Sequence, residues 1–332
     1  MNENELKLFD EQAHKILDDF IPDKVYDTHA HLFHEQFTIN RRLKKPDGPM
    51  EDFGWERYLR DMQNVVPGRT VHANMLPMVD RCFATNEDCR NASDAFTVAQ
   101  LEKDPLSVGE IIVAPGDTAD QLERRLIHPR LKGFKCYYSL TPGEGNHVNA
   151  PVVDFLPEGA WELAGQKGLV ITLHLTQPDA MADPQNIQYV RTMAKRYPHA
   201  ILILAHAGRS YADWPGVEAA QYYADLENVW FDFSAIFESP PVFQIMKKVG
   251  ISRCMWGTDF PICNKRGSSV TIARRQRWVS KSALEALKAP ENWNIGVQTL
   301  MAIRQACIMA DLTPSQIEDL FYNNAARLFG VM

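Results

Sequence analysis

Residues 24–31, Lys24-Val25-Tyr26-Asp27-Thr28-His29-Ala30-His31, decide how the chain is read. The run KVYDTH at 24–29 has the short, apolar character of a strand, and histidine follows it where a dinucleotide fold would place G-x-G-x-x-G. No G-x-x-x-x-G-K-[ST] phosphate loop occurs anywhere in the chain. Alternate side chains of a strand face the same side, so His29 and His31 would share one space, and two imidazoles there can hold one metal ion. The motif is weak alone, because ten histidines in 332 residues give an H-x-H by chance in roughly a third of shuffled chains. Its place at a strand end gives it weight.

Seven further strand-like runs follow: VHANMLPMV at 71–79, GEIIVAP at 109–115, LKGFKCYYS at 131–139, LVITLHL at 169–175, ILILAHAG at 201–208, VWFDFS at 229–234 and RCMWGTDFP at 253–261. Their interiors are continuously apolar, as in strands covered on both faces. Segments with helical spacing lie between them at 54–66, 91–103, 117–127, 158–167, 184–197, 215–226 and 240–249. This alternation predicts an α/β fold, a (β/α)8 TIM barrel with its eight strands within 24–261. A doubly wound open sheet would alternate similarly, and the chemistry at the strand ends decides between them. Residues 1–20 read as an amphipathic helix with Leu6, Phe9, Ala13, Leu17 and Phe20 on one face, and residues 262–332 as a helical extension. The expectation is one barrel domain over 1–332.

With 45% apolar residues, disorder is excluded, and a formal charge of −7 leaves no basic field for nucleic acid. A small-molecule substrate fits better. No signal peptide or membrane span is read, and the six cysteines form no C-x-x-C pair, so reduced thiols and a cytoplasmic setting are expected. A homodimer is the expected assembly, with the N-terminal helix as a candidate contact. Two insertions, 32–53 with Arg41, Arg42, Lys44 and Lys45, and 262–280 with Lys265, Arg266, Arg274, Arg275 and Arg277, would place basic residues on the catalytic rim.

Three more polar residues sit at the C-terminal ends of other strands: His174 in ITLHL, His206 in LILAHAG and Asp259 in MWGTDFP. In a closed barrel these ends converge on one cavity, so distant residues can share an ion. Burying a carboxylate beside unpaired imidazoles costs several kcal/mol unless an ion or hydrogen bonds compensate. Nitrogen and carboxylate ligands without thiolate favour Zn²⁺, with Mn²⁺ or Fe²⁺ as alternatives.

D-T-H-A-H on the first strand, histidines on the fifth and sixth, and W-G-T-D-F-P on the eighth resemble the amidohydrolase superfamily. The stretches A-H-A-G-R at 205–209, N-V-W-F-D-F-S at 228–234 and N-A-A-R-L-F-G at 324–330 are similar to its amidohydrolase-2 branch of metal-dependent hydrolases and decarboxylases. The resemblance implies that His29, His31, His174 and Asp259 bind one divalent ion, leaving His206 as acid, base or carbonyl polariser. Asp259 would accept a proton from the metal-activated water and pass it to the leaving group. Asp27 would either orient a ligand imidazole or accept strand-end hydrogen bonds. In binuclear relatives a carboxylated lysine on the fourth strand bridges two ions; Lys135 would take that place, or, unmodified in a mononuclear site, pair with a substrate carboxylate. Tyr137, Tyr138 and Arg209 would stand nearby, Arg209 suited to a carboxylate. The implied activity is hydrolysis of a small carboxylate-bearing amide, lactone or ester, or else decarboxylation of an unsaturated or aromatic acid.

Overall fold

All eight apolar runs form strands: β1 Lys24–His31, β2 Thr70–Leu76, β3 Val108–Ile112, β4 Leu131–Cys136, β5 Val170–Leu173, β6 Ile201–Leu204, β7 Val229–Asp232 and β8 Cys254–Met255. The computed structural model describes residues 3–37, 52–145, 147–288 and 293–331. Every strand is parallel to the next and the sheet order is the chain order. The ring closes between its first and last members. Thr28 N donates to Trp256 O (3.1 Å), Asp259 N to His29 O (2.8 Å) and His31 N to Phe260 O (3.0 Å). This is the (β/α)8 barrel.

The helices are amphipathic and local capping fixes several of their starts. Thr118 and Gln121 form a reciprocal capping box before Ala119–Arg125, and Asp183 caps Pro184–Arg196, whose proline gives up no needed N–H. Helix Glu158–Lys167 has the bounds expected from the sequence. Inside the barrel, Tyr26, Val108, Val170, Ile203 and Met255 pack together across the axis with Phe329 of the C-terminal helix, forming an apolar lower layer. Above it lie Asn74, Glu110 and Thr172, all fully buried. The histidines form the top layer, at the strand C-termini where barrel loops build sites.

Three expectations change. The segment 262–280 holds an antiparallel hairpin, β9 Gly267–Ile272 and β10 Arg275–Ser280, ahead of helices Lys281–Ala286 and Ile295–Met309, so the extension is not wholly helical. Its basic residues are also engaged within the chain: Arg274 forks onto Glu218 at 3.0 Å, Arg275 reaches Asp179 at 2.5 Å and Arg266 pairs with Asp10. The other basic cluster, Arg41, Arg42, Lys44 and Lys45, lies outside the described residues. Finally, the apolar face of the N-terminal helix Glu3–Leu17 is covered by the chain itself. Leu6, Ala13 and Leu17 are buried, Phe9 stacks on Trp293 at 5.4 Å, and Phe20, beyond the helix, meets Phe321 edge-on at 5.5 Å. Those residues of the face are therefore taken up within the chain, whereas Leu8 and Ile16 of the same helix stay exposed. The six cysteines are unpaired, and among the described residues no helix is long and apolar enough to cross a membrane.

Candidate active site

β1 ends in the site, and its partners determine which nitrogens face inward. Asp232, at the end of β7, accepts a hydrogen bond from His29 Nδ1 (3.0 Å), so the His29 Nε2 lone pair faces the cavity. His31 Nδ1 donates to the Pro77 carbonyl (3.2 Å), which likewise turns its Nε2 lone pair inward. These two nitrogens lie 3.3 Å apart, and Asp259 Oδ1 lies 3.8 Å from the first and 3.4 Å from the second. Two lone pairs and a carboxylate converging without protons between them form a cation site in chemical terms. The arrangement fits a metal ion.

His206 enters from the turn after β6. Residues His206, Ala207, Gly208 and Arg209 all have positive φ, from 51° to 64°, a left-handed turn that costs non-glycine residues roughly 1–2 kcal/mol each. The expected strand over 201–208 therefore stops at Leu204. Packing and hydrogen bonds hold the turn. His206 N donates to Asp232 Oδ1 (3.1 Å) and Ser210 Oγ to Ala207 O (2.7 Å), while a Cβ on Gly208 would lie 2.8 Å from Met181 Cβ. The Ser234 hydroxyl gives its proton to Asp232 Oδ1 (2.5 Å), so His206 Nδ1 must donate toward Ser234, whose Oγ is 2.8 Å away. His206 Nε2 then also carries a lone pair. Among the described residues, His29, His206 and Asp259 bring one ligand atom each within 4.8 Å of one another.

Asp259 also has a left-handed backbone (φ 58°) and follows a clamp of buried bonds. Asp27 Oδ1 accepts from Thr258 N (2.9 Å) and His29 N (3.0 Å), and its Oδ2 from Thr258 Oγ1 (2.5 Å) and Tyr58 OH (2.9 Å). Asp27 therefore orients backbone, and the carboxylate that orients an imidazole is Asp232.

The remaining candidates divide by depth. Lys135 is buried with Nζ 3.2 Å from His29 Nε2. Tyr137 OH donates to Pro77 O (2.6 Å) and lies 3.2 Å from His31 Nδ1. His174 stands one ring farther out, its centroid 5.0 Å from His206 and 6.0 Å from Tyr138. Arg209 lies at the edge, where its Nη1 donates to Gln177 O (2.7 Å). Burial drives the titration of the cluster. It lowers the histidines, His31 to about 3 and His206 to about 4, and raises Asp259 to about 6. The imidazoles are thus neutral and ready to coordinate across the ordinary pH range.

The family model for the amidohydrolase-2 family, described as amidohydrolase, matches residues 26–331. The chain belongs to that family. No curated protein matches it by sequence. Among solved structures, an amidohydrolase from Burkholderia multivorans with bound zinc superposes with a TM-score of 0.57 at 14% identity, covering 92% of this chain and 99% of that one. A putative 2-pyrone-4,6-dicarboxylic acid hydrolase from Pseudomonas putida gives 0.54 at 15% identity, over 94% and 99% of the two chains. A 5-carboxyvanillate decarboxylase from Sphingomonas paucimobilis gives 0.56 at 13% identity, over 94% and 100%. At these identities the likeness is one of fold.

In this amidohydrolase-2 member, sequence reasoning missed Asp232, Ser234 and the Asn74–Glu110–Thr172 layer. Asp232 had the same signal as Asp259, an acid at the end of an apolar strand. Glu110 in GEIIVAP and Asn74 in VHANMLPMV were polar intruders in otherwise apolar runs.

Proposed function

We propose that this chain is a metal-dependent hydrolase of a small carboxylate-bearing amide, lactone or ester. The observation that carries the reading is the pair of inward lone pairs on His29 and His31, 3.3 Å apart beside Asp259. In this reading His29, His31, His174 and Asp259 hold one divalent ion, zinc first, with manganese or iron as alternatives. Such an ion, when bound, polarises a carbonyl and brings the pKa of water from about 15.7 toward 7. Asp259 takes the proton of the attacking water and passes it to the leaving atom, a task suited to a carboxyl raised to about 6. His206, with its proton held on Nδ1 toward Ser234, presents an Nε2 lone pair to the cavity and would serve there as a base. Arg209 supplies the cation for a substrate carboxylate, with Lys135 and Tyr137 closing the inner wall. Asp27 and Asp232 spend their oxygens on donors that orient the site, Thr258, Tyr58 and the His29 backbone for Asp27 and His29 Nδ1, His206 N and Ser234 for Asp232, which leaves Asp259 for chemistry.

Metal content of protein purified without chelator, followed by turnover of a panel of carboxylated lactones, acyl amides and esters, tests the reading. About one ion per chain and uptake of solvent oxygen into the product are expected. Release of CO₂ without uptake of water would transfer the site to decarboxylation. Full activity of His29→Ala and His31→Ala proteins free of metal would refute it.

A further inference from the structure

The layer beneath the histidines contains two buried oxygens that accept no hydrogen bond. Asn74 Nδ2 (2.7 Å) and Thr172 Oγ1 (2.6 Å) both donate to Glu110 Oε1, while Glu110 Oε2 and Asn74 Oδ1 have no partner. An unpaired carboxylate oxygen is among the costliest atoms to leave in a protein interior, and here a second orphan acceptor belongs to the residue bonded to it. Such a pair is a receptor for a donor.

One amine is placed to reach it. Lys135 on β4 lies between the strands that carry Glu110 and Thr172, in register with Thr172 on β5, and Glu110 of β3 is in register with Gly133, two residues before Lys135. No side chain can stand at Gly133, since a Cβ there would come within 2.3 Å of the Val170 carbonyl oxygen. The Glu110–Thr172 hydrogen bond crosses β4 at that level, one inward position below the lysine.

Lys135 Nζ, however, stands 3.2 Å from His29 Nε2. Asp232 holds the proton of this imidazole on Nδ1, so Nε2 has a single lone pair and cannot serve both an amine and a metal ion. We propose that Lys135 is a displaceable placeholder in the metal site, and that metal binding moves its amine onto Glu110 Oε2 and Asn74 Oδ1. In the metal-free protein the ammonium offsets the converging lone pairs. In the loaded protein it fills the two orphan acceptors, and its flexible four-carbon stem allows the change without moving β4. The inference rests on the single-metal reading above and adds a positioning role for Glu110, which touches neither metal nor substrate.

Zinc affinity, measured by competition with a chromophoric chelator, tests this in the wild type, Glu110→Gln, Lys135→Met and the double variant, beside a structure of the zinc-loaded wild type. Glu110→Gln is expected to weaken zinc binding by about tenfold or more. In the Lys135→Met background the same change should matter less than about twofold, because no amine needs the receptor. The zinc-loaded wild type should show Nζ in hydrogen-bond contact with Glu110 Oε2. Equal loss in both backgrounds overturns the proposal, as does a zinc-loaded structure with the amine still against His29 or carboxylated between two ions. One zinc with an unmoved amine overturns only this inference, whereas a protein that takes up none of zinc, manganese and iron overturns the hydrolase reading with it. The wild-type structure decides the matter even if a variant fails to fold.

Discussion

The segment after β8 is held in two opposite ways. From Trp256 to Phe260 it is stitched to β1 by buried hydrogen bonds, with Thr258 clamped by Asp27 and Asp259 N donating to His29 O. A few residues later the hairpin β9–β10 stands largely in solvent, with Ile272 61% and Trp278 51% exposed. Among its contacts with the barrel, Trp278 lies 5.3 Å from Tyr211 and 5.5 Å from Phe237, and Tyr211 in turn lies 5.4 Å from His206. The residues to which the proposal gives the chemistry are thus fixed by a network that cannot shift without unpairing buried atoms, whereas the hairpin rests on ring contacts and on exposed ion pairs of Arg274 and Arg275, which tolerate change. The proposed reading assigns chemistry and selectivity to different mechanical regimes of one continuous segment.

Substitutions on either side should break along that line. Asp259→Asn removes the proton acceptor from the stitched part and is expected to lower turnover by about a thousandfold with the fold intact, as read by steady-state kinetics and circular dichroism. A loss below about tenfold would move the acceptor elsewhere. Next in size is a pH effect in the layer beneath. Glu110, pushed up to about 7 by burial, is more readily protonated folded than unfolded, so its stabilising contribution is complete below the ordinary glutamate pKa and lost as pH rises through 7. Metal-free wild type should therefore lose about 3 kcal/mol relative to Glu110→Gln between pH 4.5 and 8, measured by urea unfolding. The same comparison with Trp278→Ala should be flat.

Asp232→Asn leaves the His29 contact without its carboxylate and should weaken metal binding by about 10- to 100-fold, read by chelator competition. Trp278→Ala is the smallest change: KM is expected to rise about fivefold while metal content and unfolding midpoint stay put. A fall in metal affinity on that substitution would erase the distinction between the two parts of the segment.

How much of this was legible in the sequence follows the same physics. The eight strands were visible because strands buried on both faces must be apolar throughout, and the histidines and Asp259 were visible because they interrupt such runs at their ends. Their overrun, as in 253–261 against Cys254–Met255, arose because residues that close the ring are as apolar as the strand they follow. The hairpin was hidden by its arginines. Val270, Ile272, Trp278 and Val279 are interspersed with Arg274, Arg275 and Arg277, so a basic loop and an exposed ribbon look alike when neither face is buried. Asp232 was quoted within NVWFDFS yet not singled out, since only the closed ring brings the end of β7, with β8 between it and β1, within hydrogen-bond reach of His29. The reversed handedness at His206 could not be read from AHAGR, because three of its four left-handed residues have side chains that ordinarily avoid that conformation.

Closure of the ring through Asp259 N and His29 O also sets the timing of assembly during synthesis. His29 and His31 emerge early, and Asp259 follows them by roughly two hundred residues, which at about 5–20 residues per second leaves the histidines alone for roughly ten seconds or longer. A chain that stops in that interval lacks the residues that close the ring onto β1, Asp259 among them. The backbone bond that seals the barrel also sets Asp259 beside the two histidines, so in the proposed single-metal reading the ligand set is complete only once the ring has closed.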